Sequence, residues 1–164
     1  MNFHGIEKDS MLNGDGLRVV LWVSGCENKC KGCQNPQTWD INSGSKFTSD
    51  TFEELIEELE KSHIKGLTLS GGDPFHPYNR YEIGQLCKLI KQELPNKDIW
   101  LYTGYLFEEI KHLKAIEYTD VLVDGKFVQE LADVNYPWAG STNQRVIDVK
   151  KSLEQGEVVL WRSK

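Results

Sequence analysis

The sequence predicts an α/β protein with parallel strands joined by crossover helices. Short apolar, β-branched runs alternate with segments of helical periodicity about four times along the 164 residues, which is the pattern of β-loop-α units. Each of these runs ends in a glycine-containing turn: Ser24–Gly25, Ser70–Gly71–Gly72, Thr103–Gly104 and Asp124–Gly125. The length fits one domain, taken as residues 1–164.

Residues 1–16 are mixed in character and end in Asn13–Gly14–Asp15–Gly16, a turn signal. Leu17–Val23, with three valines, reads as the first strand. A cysteine-rich loop follows, and Trp39–Gly44 also reads as loop. Asp50 is expected to cap a helix, with Glu53 closing a capping box. Phe52, Leu55, Ile56 and Leu59 form one helical face, and the glutamates between them read as its solvated side. Leu67–Leu69 is a short strand leading into Ser70–Gly71–Gly72–Asp73–Pro74. Residues 80–94 read as a helix burying Ile83, Leu86, Cys87, Ile90 and Leu94, so Cys87 is expected to be a small core residue. Ile99–Tyr102 is a strand, Leu106–Leu113 a helix, and Val121–Val123 a strand ending in Asp124–Gly125–Lys126. The tail carries two β-like runs, Gln144–Val149 and Val158–Trp161; either they pair or the first flanks a helix. In parallel α/β folds the site lies at the carboxyl ends of the strands. Periodicity therefore gathers four loops at one mouth.

Three of the four cysteines, Cys26, Cys30 and Cys33, stand in a CxxxCxxC pattern. Thiolates are soft ligands that suit zinc, copper(I) or iron–sulfur clusters. A closed site usually has four ligands, and this loop offers three, which fits a centre with one position open. No Cys/His pair elsewhere completes a zinc ribbon, since His4, His63, His76 and His112 are scattered. A structural zinc site and a simple electron carrier remain alternatives on the residues alone. The glycines of SGGDP let backbone approach a ligand closely, although a tight strand-to-helix turn would look the same. The loop lacks the lysine-plus-hydroxyl pattern of a phosphate cradle. Asp124 and Lys126, two residues apart at a strand end, are expected to point to one face.

Hydrophobic residues make up 39% and charged residues 27% of the chain, with a net charge of −6. That balance disfavours a nucleic-acid partner. No cationic stretch followed by an apolar segment opens the sequence. The run Val19–Val23 is far too short to span a membrane. A cytoplasmic protein is expected, in which cysteines stay reduced and bind metal rather than pair as disulfides.

Taken in order, the cysteine loop SGCENKCKGCQNPQTWD at 24–40 and SGGDPFHP at 70–77 resemble the radical S-adenosylmethionine (SAM) enzymes. With NGDGLR at 13–18, DIWLYTGY at 98–105, VLVDGKF at 121–127 and WAGSTNQRVID at 138–148, the chain is more closely similar to the activating proteins of anaerobic (class III) ribonucleoside-triphosphate reductases. Gly32 is usual in that subgroup, whereas Gln34 and Ala139 stand where Tyr and Arg are common.

The resemblance implies a partial, laterally open (β/α) barrel of the radical SAM type with mainly parallel strands. A complete eight-unit barrel takes about 250 residues, more than this chain has. It also implies that Cys26, Cys30 and Cys33 hold a 4Fe-4S cluster whose open iron takes the amino and carboxylate groups of SAM. One electron would cleave SAM to methionine and a 5′-deoxyadenosyl radical. That radical would take a hydrogen atom from a glycine of the reductase large subunit. The backbone of Ser70, Gly71, Gly72, Asp73 and Pro74 would receive the SAM amino group. Asp124 and Lys126 would meet its ribose or carboxylate, and Gly32 and Gln34 its adenine side. An outside electron donor such as a flavodoxin is implied. An activase of another glycyl radical enzyme, such as pyruvate formate-lyase, is the near alternative.

Overall fold

The computed structural model describes residues 1–163. One seven-stranded sheet organises them, built from β1 (Asn2–Ser10), β2 (Arg18–Val23), β3 (Ser45–Lys46), β4 (Gly66–Gly71), β5 (Asp98–Tyr102), β6 (Val121–Asp124) and β7 (Arg145–Asp148). The strand order is β3-β1-β2-β4-β5-β6-β7. The central pairs β2–β4, β4–β5 and β5–β6 are parallel, while β1 runs antiparallel to β2 and β3, and β7 antiparallel to β6. The order is linear, with β3 and β7 at its edges, so the sheet is open. The expected parallel strands thus form the centre of a mixed sheet that does not close into a barrel.

Two of the antiparallel strands lie where the sequence reads as irregular. Asn2–Ser10 interleaves Gly5 with charged residues and has little apolar alternation, because most of the strand is half-buried or exposed. Ser45–Lys46 is a two-residue edge pairing. Both are fixed by partners rather than by local pattern.

Four α-helices accompany the sheet: α1 (Ser49–Leu59), α2 (Arg80–Glu93), α3 (Phe107–Ile110) and α4 (Val149–Gln155). Alternate strand residues Val19, Leu21, Val23, Leu67, Leu69, Ile99, Leu101, Leu122 and Ile147 pack with Leu55, Leu59, Ile83, Leu86, Cys87, Ile90, Phe107 and Ile110 in one core. The residues between them, including Trp100, Val121 and Val123, pack on the opposite face under Tyr102, Trp138 and Trp161. Period-2 alternation therefore separates a helix-covered face from a loop-covered one.

Helix α1 begins earlier than expected. Thr48, not Asp50, is its N-cap, and the capping box is closed by Thr51 rather than Glu53. The Thr48 N–H donates to Thr51 Oγ1 at 3.1 Å, leaving Asp50 in the first turn, where its charge suits the helix dipole. Helix α3 is a single turn instead of Leu106–Leu113. The chain turns extended at Leu113 and continues as a 3-10 helix over Lys114–Tyr118. In the tail both alternatives hold. Val149–Gln155 is helical and ends on left-handed Gly156, and the flanking runs also meet in a bridge between Ile147 and Leu160.

The loop-covered face is tied down by Arg18, which is fully buried. Its Nη2 pairs with Asp98 Oδ1 at 2.6 Å, Nε donates to Thr68 Oγ1 at 2.8 Å, and Nη1 donates to the Asp15 carbonyl at 2.9 Å. The Thr68 hydroxyl donates to the Asn13 carbonyl at 2.6 Å. The NGDG turn is thereby held against the sheet. Asp98 is partly exposed and Arg18 keeps three other acceptors, so losing the carboxylate costs less than a fully buried pair would, about 1–3 kcal/mol. Asp98→Ala should therefore lower unfolding free energy by an amount of this order in urea titrations. Lys61→Ala, which removes an exposed pair with Glu58, should change it by less than about 1 kcal/mol.

Candidate functional site

The loops after the four parallel strands meet at one end of the sheet. The cysteine loop follows β2, SGGDP spans the end of β4, Thr103–Gly104–Tyr105 follows β5, and Gly125–Lys126 follows β6. Main-chain bonds fasten the cysteine loop at its two ends: Gly25 N donates to Thr38 O at 2.7 Å and Cys26 N to Trp39 O at 3.0 Å. Between them Cys26, Cys30 and Cys33 are free thiols, each half-buried. Among the described residues no three Cys, His, Asp or Glu side chains converge as tightly as a single metal ion requires. Backbone N–H groups serve the sulfurs, since Asn35 N donates to Cys33 Sγ at 3.4 Å. Burial pushes the Cys26 thiol up, the charges of Asp73 and Cys30 act the same way, and hydrogen bonds from the Asn28 and Lys29 amides oppose them. Cys87 lies apart in the core, and burial raises its thiol to about 12.

Asp73 is where the loops join. It is 2% exposed. Its Oδ1 accepts from Phe75 N at 2.9 Å and Thr103 Oγ1 at 2.8 Å. Its Oδ2 accepts from Gly104 N at 2.9 Å and Asn28 Nδ2 at 3.2 Å. Burial raises its carboxyl above the usual range, while those four bonds pull the other way. Its own N–H donates to Gly25 O at 2.7 Å, and Gly72 N donates to Val23 O at 2.9 Å. Two glycines make this approach feasible. A Cβ at Gly72 would stand 2.6 Å from the Gly25 carbonyl oxygen, and one at Gly104 would stand 2.1 Å from Asn28 Nδ2. The SGGDP glycines thus let one loop press against another.

A cavity of about 770 Å³ opens beside the cysteine loop on the loop-covered face. That volume lies within the roughly 300–1,000 Å³ range of small-molecule sites. Trp22, Ser70 and Tyr102 line it on the sheet side, Gln34 and Asn35 from the cysteine loop, and Asn13 and Trp138 help close it. Tyr102 Oη donates to the Trp138 carbonyl at 2.6 Å. The expected contact residues therefore fall into groups. Gln34 and Ser70 face the cavity, and Gly32 and Lys126 are exposed. Gly71 ends β4, and Pro74 is buried behind the loop. Among the described residues none donates to the Gly72 carbonyl.

Asp124 and Lys126 do not share a face. Asp124 is 1% exposed. Arg145 Nε reaches its Oδ1 at 3.0 Å, Arg145 Nη2 its Oδ2 at 2.5 Å, and Phe107 N its Oδ2 at 2.8 Å. The strand ends at Asp124, and left-handed Gly125 redirects the chain, so strand alternation no longer relates the two side chains. The Asp124 carboxylate joins α3 to β7 rather than facing the cavity.

Sequence reasoning overlooked Asn28, Thr103 and Tyr102, and also Gln129, whose side chain lies against Gly32. Asn28 carried one signal, its place between two cysteines. Tyr102 and Thr103 stand at the strand end and turn that the pattern had already gathered at the mouth, without a role read for either side chain, and Gln129 carried no signal.

A family model described as a 4Fe-4S single cluster domain matches residues 12–147. The cysteine loop lies inside that span, and the chain belongs to this class of 4Fe-4S domain proteins. Against individual proteins, the chain is 49% identical over 146 residues to the anaerobic ribonucleoside-triphosphate reductase-activating protein of Enterobacteria phage T4, covering 89% of this chain and 93% of that one. The proteins of that name from Vibrio cholerae and Escherichia coli K12 are 47% and 45% identical, over 88% and 89% of this chain and 96% and 97% of theirs. The chain belongs to the family of anaerobic ribonucleoside-triphosphate reductase-activating proteins. No helix in the described residues is long and apolar enough to cross a membrane.

The contact of Gly72 with the Gly25 backbone yields a stability prediction. Gly72→Val forces backbone apart and should lower unfolding free energy by about 1–3 kcal/mol or more. Gly5→Ala, where a Cβ meets nothing within 4 Å, should leave it nearly unchanged. Urea titration of both variants checks this.

Proposed function

We propose that this protein is a radical SAM activase that generates a glycyl radical on the large subunit of an anaerobic ribonucleotide reductase. The observation that carries the reading is the meeting of a three-cysteine loop, a glycine-rich turn and a small-molecule-sized cavity at the carboxyl ends of four parallel strands. The names of the relatives support the partner, and the matched family supports the iron–sulfur cluster.

The donor set fits a 4Fe-4S cluster. Three soft thiolates stand on one half-exposed loop, and they leave one iron without a protein ligand. Cys26, Cys30 and Cys33 would hold it. When bound, the cluster supplies the electron for reductive cleavage of SAM, and the adenosyl part takes the glycine hydrogen atom.

The chain's own residues bind and orient. The amide of Asn35 donates to Cys33 Sγ, which helps to orient that ligand. Ser70 and Gln34 offer polar groups inside the cavity, and the Gly72 carbonyl is an acceptor for the SAM amino group. Gly32 and Gln34 flank the adenine side. Exposed Lys126 supplies a cation for the carboxylate. Asp73 and Asp124 act from behind, by holding loops. The open sheet admits a segment of a large partner, and an external one-electron donor such as a flavodoxin completes the system in a cytoplasmic setting.

Cysteine substitution tests the reading. Changing any one of Cys26, Cys30 or Cys33 to Ala should abolish the broad visible absorption after anaerobic reconstitution, together with 5′-deoxyadenosine formation from SAM. Cys87→Ala should retain both. Normal iron content and turnover in the Cys30→Ala protein would overturn the assignment.

A further inference from the structure

We infer that the Asp73 carboxylate is a positioning residue that locks the cysteine loop to the turn after β5 and sets the electrostatic surroundings of the cluster. The inference rests on the reading above that Cys26, Cys30 and Cys33 hold that cluster.

Asp73 sits in the motif expected to contact SAM, yet its carboxylate is turned into the protein. It is not among the residues lining the cavity. A carboxylate has about four acceptor positions. All are in use here, by Phe75 N, Thr103 Oγ1, Gly104 N and Asn28 Nδ2, which leaves none for a ligand ammonium group. Two of the donors are backbone N–H groups, one on each oxygen, which cannot reverse their role. The ionised acid is therefore the species that these partners complement.

The partners belong to separate pieces of chain. Asn28 lies between Cys26 and Cys30, Thr103 and Gly104 follow β5, and Phe75 follows SGGDP. A second tether runs from Asp73 N to the Gly25 carbonyl, adjacent to Cys26. A third passes through fully buried Asn79, whose Nδ2 donates to Ser24 O at 2.8 Å and Asp73 O at 3.4 Å. One residue thus fixes the cysteine loop at Gly25 and at Asn28, on both sides of Cys26. A fixed negative charge behind the ligands also makes a cluster harder to reduce, because the added electron meets it in a medium of low dielectric.

The test uses Asp73→Asn, which keeps size and removes the charge, and Asn28→Ala, which removes only the link to the cysteine loop. Each protein is reconstituted anaerobically. Iron and sulfide per chain, midpoint potential, SAM dissociation constant and melting of the apoprotein are then measured. Asp73→Asn should shift the midpoint potential upward and weaken SAM binding several-fold. Asn28→Ala should weaken SAM binding and change the electron paramagnetic resonance spectrum of the reduced cluster, with apoprotein melting close to the parent. If both variants keep the parent potential, spectrum and SAM affinity and differ only in melting, Asp73 is a packing residue and the inference fails. Should Asp73→Asn not fold, unchanged spectrum and affinity in Asn28→Ala overturn the inference by themselves. If the parent protein takes up no cluster, the reading of the cysteines fails first and the inference with it.

Discussion

The functional end of this molecule depends on a buried carboxylate and the four hydrogen bonds that satisfy it. An ionised group without partners would be far too costly at 2% exposure. Asp73 is tolerated because it collects donors from three loops that would otherwise be independent. Each loop in turn loses the freedom to move alone. The Phe75 and Gly104 backbone N–H groups, one on each oxygen, anchor the carboxylate, and the Thr103 and Asn28 side chains extend it to the neighbouring loops.

A second buried charge works at the other end of the sheet. Arg18 reaches Asp98, Thr68 and the Asp15 carbonyl, and its guanidinium lies 5.4 Å from the Trp100 ring centre. It holds the NGDG turn, from which Asn13 enters the cavity wall. Floor and mouth are therefore set by different polar clusters. The apolar face between sheet and helices carries the bulk of the core.

Much of this was legible in the sequence, and the limits have physical causes. Strands β2, β4, β5 and β6 are buried on both faces, so they read as apolar runs. β1 lies nearer the edge and is mostly half-buried or exposed, so its residues carry little pattern. The three cysteines were legible because their spacing is local. The bonds to Asp73 were not, since Asn28 and Thr103 lie 45 and 30 residues away from it in sequence. The i, i+2 argument for Asp124 and Lys126 assumed a strand continuing through Gly125. The positive φ there ends that geometry, and the aspartate found an arginine instead.

The cysteine loop is closed by main-chain bonds from Gly25 to Thr38 and from Cys26 to Trp39, and none of its three thiols belongs to the main hydrophobic core. Small zinc modules are organised the other way, with the metal serving as their core. In this chain the loop is closed by its own backbone and the core lies elsewhere. The scaffold therefore does not lean on the three sulfurs, and the side chains of that loop can vary without dismantling the sheet behind them.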